Sequence, residues 1–180
     1  FQRAYVENAT SKGEVIHGYK AGITSEAAQE RFAIEKPITG VLLKSPKLAD
    51  QTPNFLLAQS YQLLIELELA FQLKQDISEP ITSIEQLKPA ILAVAAAVEL
   101  PDMSFPESNF NGFDIIANNA LAYETIIGPW RKDLSQINQQ QVKLFCGDEQ
   151  QFFCQLPPCG KKQTRQLREP MWVQITRYET

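Results

Sequence analysis

The sequence predicts an α+β domain, and three observations carry that prediction. Apolar residues at 65, 67, 69 and 71 alternate with Glu66, Glu68 and Ala70, the two-residue period of a half-buried strand. Residues 91–98 form the richest apolar run of the chain and lead directly into Glu99, which reads as a second, buried strand. Between and before these runs stand two helix starts, Ser25 followed by Glu26, and Ser83 with Gln86 three residues on. With 180 residues, 44% hydrophobic and 21% charged, the chain is long enough for one domain with a real core and has the composition of a soluble globular protein.

Taken in order, residues 1–8 suit the end of an amphipathic helix with Phe1 and Tyr5 one turn apart, closed by a turn at residues 11–13. Residues 14–23 are strand-like. They are interrupted by Gly18 and Gly22, which suit a close approach of backbone or ligand. Lys20 lies between those glycines. By itself it reads as a solvated strand lysine. Ser25 caps a helix with an apolar row at Ala28, Phe32 and Ile34, Pro37 is expected to close it, and Gly40 to mark a turn before residues 41–43. Residues 44–54 read as a loop, the alternating strand runs to about Leu73, and residues 75–80 connect onward. Ser83 and Gln86 form a capping box on a helix that Pro89 keeps short or kinks. After the run ending at Glu99, residues 103–112 are a loop and Asn118-Asn119 are turn residues expected to bond their own backbone. Residues 141–146 alternate as a strand, Gly147-Asp148 should turn, and residues 171–178 can form a last strand.

Charge and cysteine usage exclude several classes. The net charge is −4 and no basic patch is dense enough for nucleic acid. No apolar run reaches membrane-spanning length. Cys146, Cys154 and Cys159 match neither a CxxC pair nor a zinc ligand set, so a reducing cytoplasm is the default location. The chain starts at Phe1, so an upstream targeting segment is not excluded. Residues 151–180 hold five of the 17 Lys+Arg and two of the 21 Asp+Glu, a net +3, against −7 for the rest. The expected organisation is therefore a domain over residues 1–150 and a divergent basic tail over residues 151–180.

Glu66 and Glu68 are two apart on one strand and so share a face. Two neighbouring carboxylates shielded from water both stay ionised only beside strong positive charge, which a divalent cation with oxygen ligands supplies. A water-washed sheet face carrying two solvated glutamates fits the same pattern. Glu99 leaves the same choice: either its strand has emerged into water there, or an expensive buried carboxylate has a partner.

The blocks Gly18-Tyr19-Lys20-Ala21-Gly22-Ile23-Thr24-Ser25, Pro37-Ile38-Thr39-Gly40, Glu66-Leu67-Glu68-Leu69-Ala70-Phe71, Glu99-Leu100-Pro101-Asp102 and Asp114 to Asn119 run in one order. Together they resemble the 2-keto-4-pentenoate hydratase family of the fumarylacetoacetate hydrolase superfamily, over about residues 1–150. The resemblance implies a mixed β-roll, incomplete at both ends. It implies Mg²⁺ or Mn²⁺ held by Glu66, Glu68 and Glu99, Lys20 as the active-site lysine, and Asn119 near the substrate. The implied reaction is water addition to a 2-hydroxydienoate, a hydro-lyase step of bacterial aromatic catabolism. The substrate would chelate the metal, which acts as a Lewis acid. The expected partners are a small 2-keto acid and further copies of the chain, with no nucleic acid and no membrane. Decarboxylation of a related 2-keto diacid, or a non-catalytic remnant binding metal or keto acid, are the alternatives.

The chain also departs from the family pattern. Leu43-Lys44-Ser45 stands where many members carry an acidic residue, Leu63-Leu64 where an arginine precedes E-x-E, and Asn118 where aspartate is common. Residues 151–180 hold no counterpart of the family's C-terminal substrate-binding stretch. They are expected to pack poorly on the body, or to pair along one of its edges.

Overall fold

The computed structural model describes residues 1–48, 64–103, 110–133, 140–146, 149–155 and 171–177. Helix α1 (Gln2–Ser11) forms as the sequence predicts, but its aromatic face is not used: Phe1 is fully exposed and Tyr5 half-exposed. The helix is tethered instead through Gln2, whose Nε2 donates to the Thr39 carbonyl. Strand β1 (Gly18–Gly22) is shorter than the 14–23 run. Helix α2 (Glu26–Phe32) starts where expected, with Ser25 Oγ accepting from the Ala28 amide at 3.3 Å. It ends well before Pro37, at a left-handed Ala33 (φ 53°), so Ile34 is not on its apolar row. Tertiary contact decides this end. A Cβ on Gly112 would lie 2.3 Å from Ile34 Cγ1 and 2.6 Å from the Phe32 carbonyl, and the Phe32 and Phe110 rings stack at 5.9 Å.

Strand β2 (Ile38–Leu42) corrects the reading of Gly40 as a turn residue. It lies mid-strand, opposite Lys20 in the antiparallel β1–β2 pair. A glycine is needed there because two other elements come close, not because the chain reverses. Strand β3 (Lys47–Leu48) is a two-residue parallel contact within the predicted loop. Strand β4 (Glu66–Leu73) matches the alternating stretch. Helix α3 (Ile84–Leu87) continues as a 3-10 turn at Lys88–Ala90, the short helix that Pro89 demands. Ser83 Oγ accepts from the Gln86 amide, while the Gln86 side chain reaches Thr82 N rather than Ser83.

Strand β5 (Ile91–Leu100) follows, then helix α4 (Gly112–Ala117), a 3-10 turn at Asn119–Leu121, and strands β6 (Glu124–Ile127), β7 (Gln140–Cys146), β8 (Glu149–Gln155) and β9 (Met171–Arg177). Asn111 and Asp114 close a capping box on α4, each side chain bonding the other's backbone amide. Asn119 does not bond its own backbone as predicted. Its side chain bonds Val41 on β2. The rest of the 44–54 and 103–112 loops, Leu63, the Gly147-Asp148 turn and the segment with Pro157-Pro158 and Cys159 lie outside the described residues.

Three sheets result among the described residues: β1–β2, a four-stranded sheet in the order β3-β6-β5-β4, and β8-β7-β9. Strand β5 is the core strand. Val94, Ala95, Ala96, Val98 and Leu100 on it are all fully buried, so both faces are covered and a continuous apolar run is what the position requires. Strand β8 runs across residue 150, and β9 pairs antiparallel with β7. No helix among the described residues is long and apolar enough to cross a membrane.

Candidate metal centre

The β4–β5 register builds the site. Glu66 lies directly opposite Glu99 and Glu68 opposite Ala97. Opposed residues of an antiparallel pair project from the same face, and residues two apart on a strand do the same. All three carboxylates are therefore delivered to one face by backbone pairing alone. Each offers an oxygen, and these oxygens lie within 4.8 Å of one another.

Glu99 has not emerged into water at the end of its strand. It is 4% exposed. Lys20, its side chain 10% exposed, reaches from β1 to place Nζ 2.6 Å from Glu99 Oε1, and donates to the Ala120 carbonyl at 3.1 Å. The ammonium sits beside Oε1 without meeting hydrogen-bond geometry, so this buried oxygen has charge nearby but no hydrogen bond among the described residues. Burial pushes the Glu99 carboxyl up to about 7. Lys20 works against that rise, and Glu66 and Glu68 add to it by repulsion.

These four side chains fit a hard divalent cation. Three carboxylates against one lysine leave a formal charge of −2, the donors are all oxygen, and Glu99 Oε1 has coordinating capacity left.

Of the residues predicted for the site, Glu66, Glu68, Glu99 and Lys20 are brought together. Asn119, expected near a substrate, is 2% exposed and committed to the scaffold. Its Oδ1 accepts from the Val41 amide at 2.8 Å and from Gln2, and its Nδ2 donates to the Val41 carbonyl at 2.8 Å. Asp114 is likewise a helix cap. Sequence reasoning missed the Ala120 carbonyl, since a backbone acceptor leaves no mark in side-chain identity. It also passed over Lys44, which lies 3.3 Å from Glu124 Oε1 and 3.5 Å above the Tyr123 ring.

Helices and small antiparallel sheets in this arrangement match the fold of solved members of the fumarylacetoacetate hydrolase superfamily. The chain superposes on 4-oxalocrotonate decarboxylase from Pseudomonas putida, solved with magnesium and adipate, with a TM-score of 0.68 at 22% identity, covering 83% of this chain and 57% of that one. Fumarylpyruvate hydrolase from Pseudomonas aeruginosa, solved with Mn²⁺ and pyruvate, gives 0.51 at 15% identity, covering 78% and 68%. In sequence the chain is similar to 2-keto-4-pentenoate hydratases. The enzyme of that name from Burkholderia vietnamiensis is 30% identical over 118 residues, 66% of this chain and 45% of the relative. The chain thus spans about half the length of the curated relatives it matches. No family model matches it.

Proposed function

We propose that this chain carries the metal and proton-transfer half of a hydro-lyase acting on a 2-hydroxydienoate, or its 2-keto acid, on a mixed β-roll. The observation that carries this reading is the convergence of the Glu66, Glu68 and Glu99 oxygens within 4.8 Å, with Lys20 buried against Glu99. Homology to hydratases, and the Mg²⁺ and Mn²⁺ in superfamily neighbours, support it.

The three glutamates would hold Mg²⁺ or Mn²⁺, and their negative charge and hard oxygens favour such an ion over softer metals. When bound, the ion supplies Lewis-acid stabilisation of the negative charge that develops on a 2-keto acid oxygen. Lys20 does the chain's own work. Its ammonium donates to the Ala120 carbonyl and lies 2.6 Å from Glu99, so it is held at a fixed place beside the carboxylates. A proton held at Nζ beside the reacting atoms is what general acid catalysis requires. Burial of Lys20 and Glu99 keeps competing water off both groups.

The partners under this reading are a small 2-keto acid and further copies of the chain. Decarboxylation of a 2-keto diacid is the second reading, favoured by the likeness to 4-oxalocrotonate decarboxylase.

Mn²⁺ binding followed by electron paramagnetic resonance tests the centre directly. The parent should bind one ion, and Glu66→Gln, Glu68→Gln and Glu99→Gln should each weaken it. Unchanged affinity in all three would end the proposal. Loss of dienol absorbance against release of CO₂ from a 2-keto diacid then separates the two reactions. Lys20→Ala should lower whichever occurs by on the order of 10²–10⁴-fold.

A further inference from the structure

Between α4 and β6 the backbone does something that L-residues avoid. Asn119, Ala120 and Leu121 have φ of 52°, 55° and 60° in succession. Left-handed residues ordinarily occur singly, because there the Cβ of an L-residue crowds the following carbonyl oxygen. Such a run persists only where the surroundings over-determine it, and strain of this kind clusters where a structure holds something in place.

Three contacts fix the turn, and each ties it to a different part of the site. The Asn119 side chain bonds both the amide and the carbonyl of Val41 at 2.8 Å, clamping the turn to β2 as an adjacent strand would be. The Leu121 carbonyl accepts from the Asp102 amide at 3.4 Å, just beyond the end of β5 that carries Glu99. Between them, the Ala120 carbonyl accepts from Lys20 Nζ at 3.1 Å. The fit over Gly40 is tight. A Cβ there would lie 2.8 Å from the Asn119 carbonyl oxygen, 2.9 Å from Lys20 Cγ and 3.1 Å from Ala120 Cβ. The stem of the lysine and the strained turn thus share the space that glycine leaves open.

We infer that the left-handed turn Asn119–Leu121 is a positioning device that aims the Lys20 ammonium at Glu99, with Asn119 and Gly40 as its positioning residues. The turn bridges the β1–β2 pair that carries the lysine and the β5 end that carries the carboxylate. Its Ala120 carbonyl takes one of the three ammonium protons, so the lysine cannot swing away. The inference deepens the proposed reaction and rests on it only for the consequence of misplacing Lys20.

The test reads Lys20 itself. The full chain is acylated with an amine-directed reagent without metal or substrate, and modification is followed lysine by lysine by peptide mass spectrometry, with half-exposed Lys44 as the internal reference. In the parent, Lys20 should be protected relative to Lys44. A Lys20 as reactive as Lys44 would already overturn the inference, even if no variant folded. Asn119→Ala removes the clamp and Gly40→Ala fills the shared space, so both should lose the protection of Lys20 while leaving the rate at Lys44 unchanged. Ala120→Gly relieves the left-handed strain and keeps the carbonyl, so it should stay protected. General loosening would expose both lysines together and in all three variants, and that pattern too would overturn it. If the reaction reading also holds, Asn119→Ala should lower kcat by about 10²-fold, the order expected of a misplaced reacting group, with KM and Mn²⁺ affinity little changed. A parent that shields Lys20 but binds no Mn²⁺ would refute the metal reading and leave the positioning device standing.

Discussion

Raising the pH from 5 to 8 without added metal should destabilise this protein, and a divalent cation should abolish that loss. Burial pushes the Glu99 carboxyl from its ordinary value of 4.5 up to about 7. A raised carboxyl means that the folded state holds a proton the unfolded state has already released. The stabilisation is fully present below about pH 4.5, declines as pH rises, and is gone above about 7. A rise of that size corresponds to roughly 3 kcal/mol. For a chain of 180 residues each kcal/mol moves Tm by about 2–4 °C, so the decline is on the order of 6–12 °C. Mg²⁺ or Mn²⁺ takes the place of the proton, and binding to the folded state adds stability that grows with free ion concentration. Urea denaturation at pH 5, 6, 7 and 8, with and without Mn²⁺, measures both effects. Glu99→Gln, permanently neutral there, supplies the background from all other groups. The reasoning fails if the parent's profile, after that background is subtracted, is flat or rising between pH 5 and 8. It fails equally if saturating Mn²⁺ leaves the decline in place.

Three further outcomes follow from packing and capping. Gly112→Ala should destabilise by about 1–3 kcal/mol in urea melts, because its Cβ would meet Ile34 Cγ1 at 2.3 Å and backbone at 2.6 Å; a neutral result would show that the α2–α4 contact yields easily. Asn111→Ala removes the cap of α4 and should cost about 1 kcal/mol, whereas Asn111→Asp should retain most of the stability in the same melts. Lys44→Ala gives up an ion pair between a half-exposed lysine and the largely covered Glu124, and a cation–π contact with Tyr123, and should cost about 1 kcal/mol in the same melts; an unchanged stability would show that neither contact contributes.

What was legible in the sequence was what periodicity and local chemistry encode. The alternation at 65–71 and the apolar run at 91–100 became β4 and β5 with nearly the predicted bounds, and Ser25 and Ser83 capped their helices. The same-face placement of Glu66 and Glu68 was readable, since a strand fixes it. The burial of Glu99 was not, because the end of an apolar run looks the same whether the chain then enters water or stays covered. Gly40 was misread for a related reason, and Asn119, a turn residue as expected, was given the wrong hydrogen-bond partner. Each is a common turn residue, and only the fold shows one facing Lys20 across a strand pair and the other bonding Val41, 78 positions away. The end of α2 was set by contact with α4, which no local signal announces.

The pairing of β4 with β5 has a consequence for how the chain finds its fold. Strand β5 is nearly featureless between Ala93 and Ala97, where four of five side chains are alanine, so packing separates one alignment of its neighbour from the next only weakly. A slip of one residue would turn Glu66 and Glu68 to the opposite face from Glu99. A slip of two keeps the face but moves Glu66 away from Glu99. The native alignment sets Glu66 opposite Glu99 with Glu68 on the adjoining diagonal, and a one-residue slip in either direction disperses that set of three donors. An ion present during folding would therefore act as a proofreader of strand register, penalising the one-residue slips that alanine packing alone scarcely distinguishes.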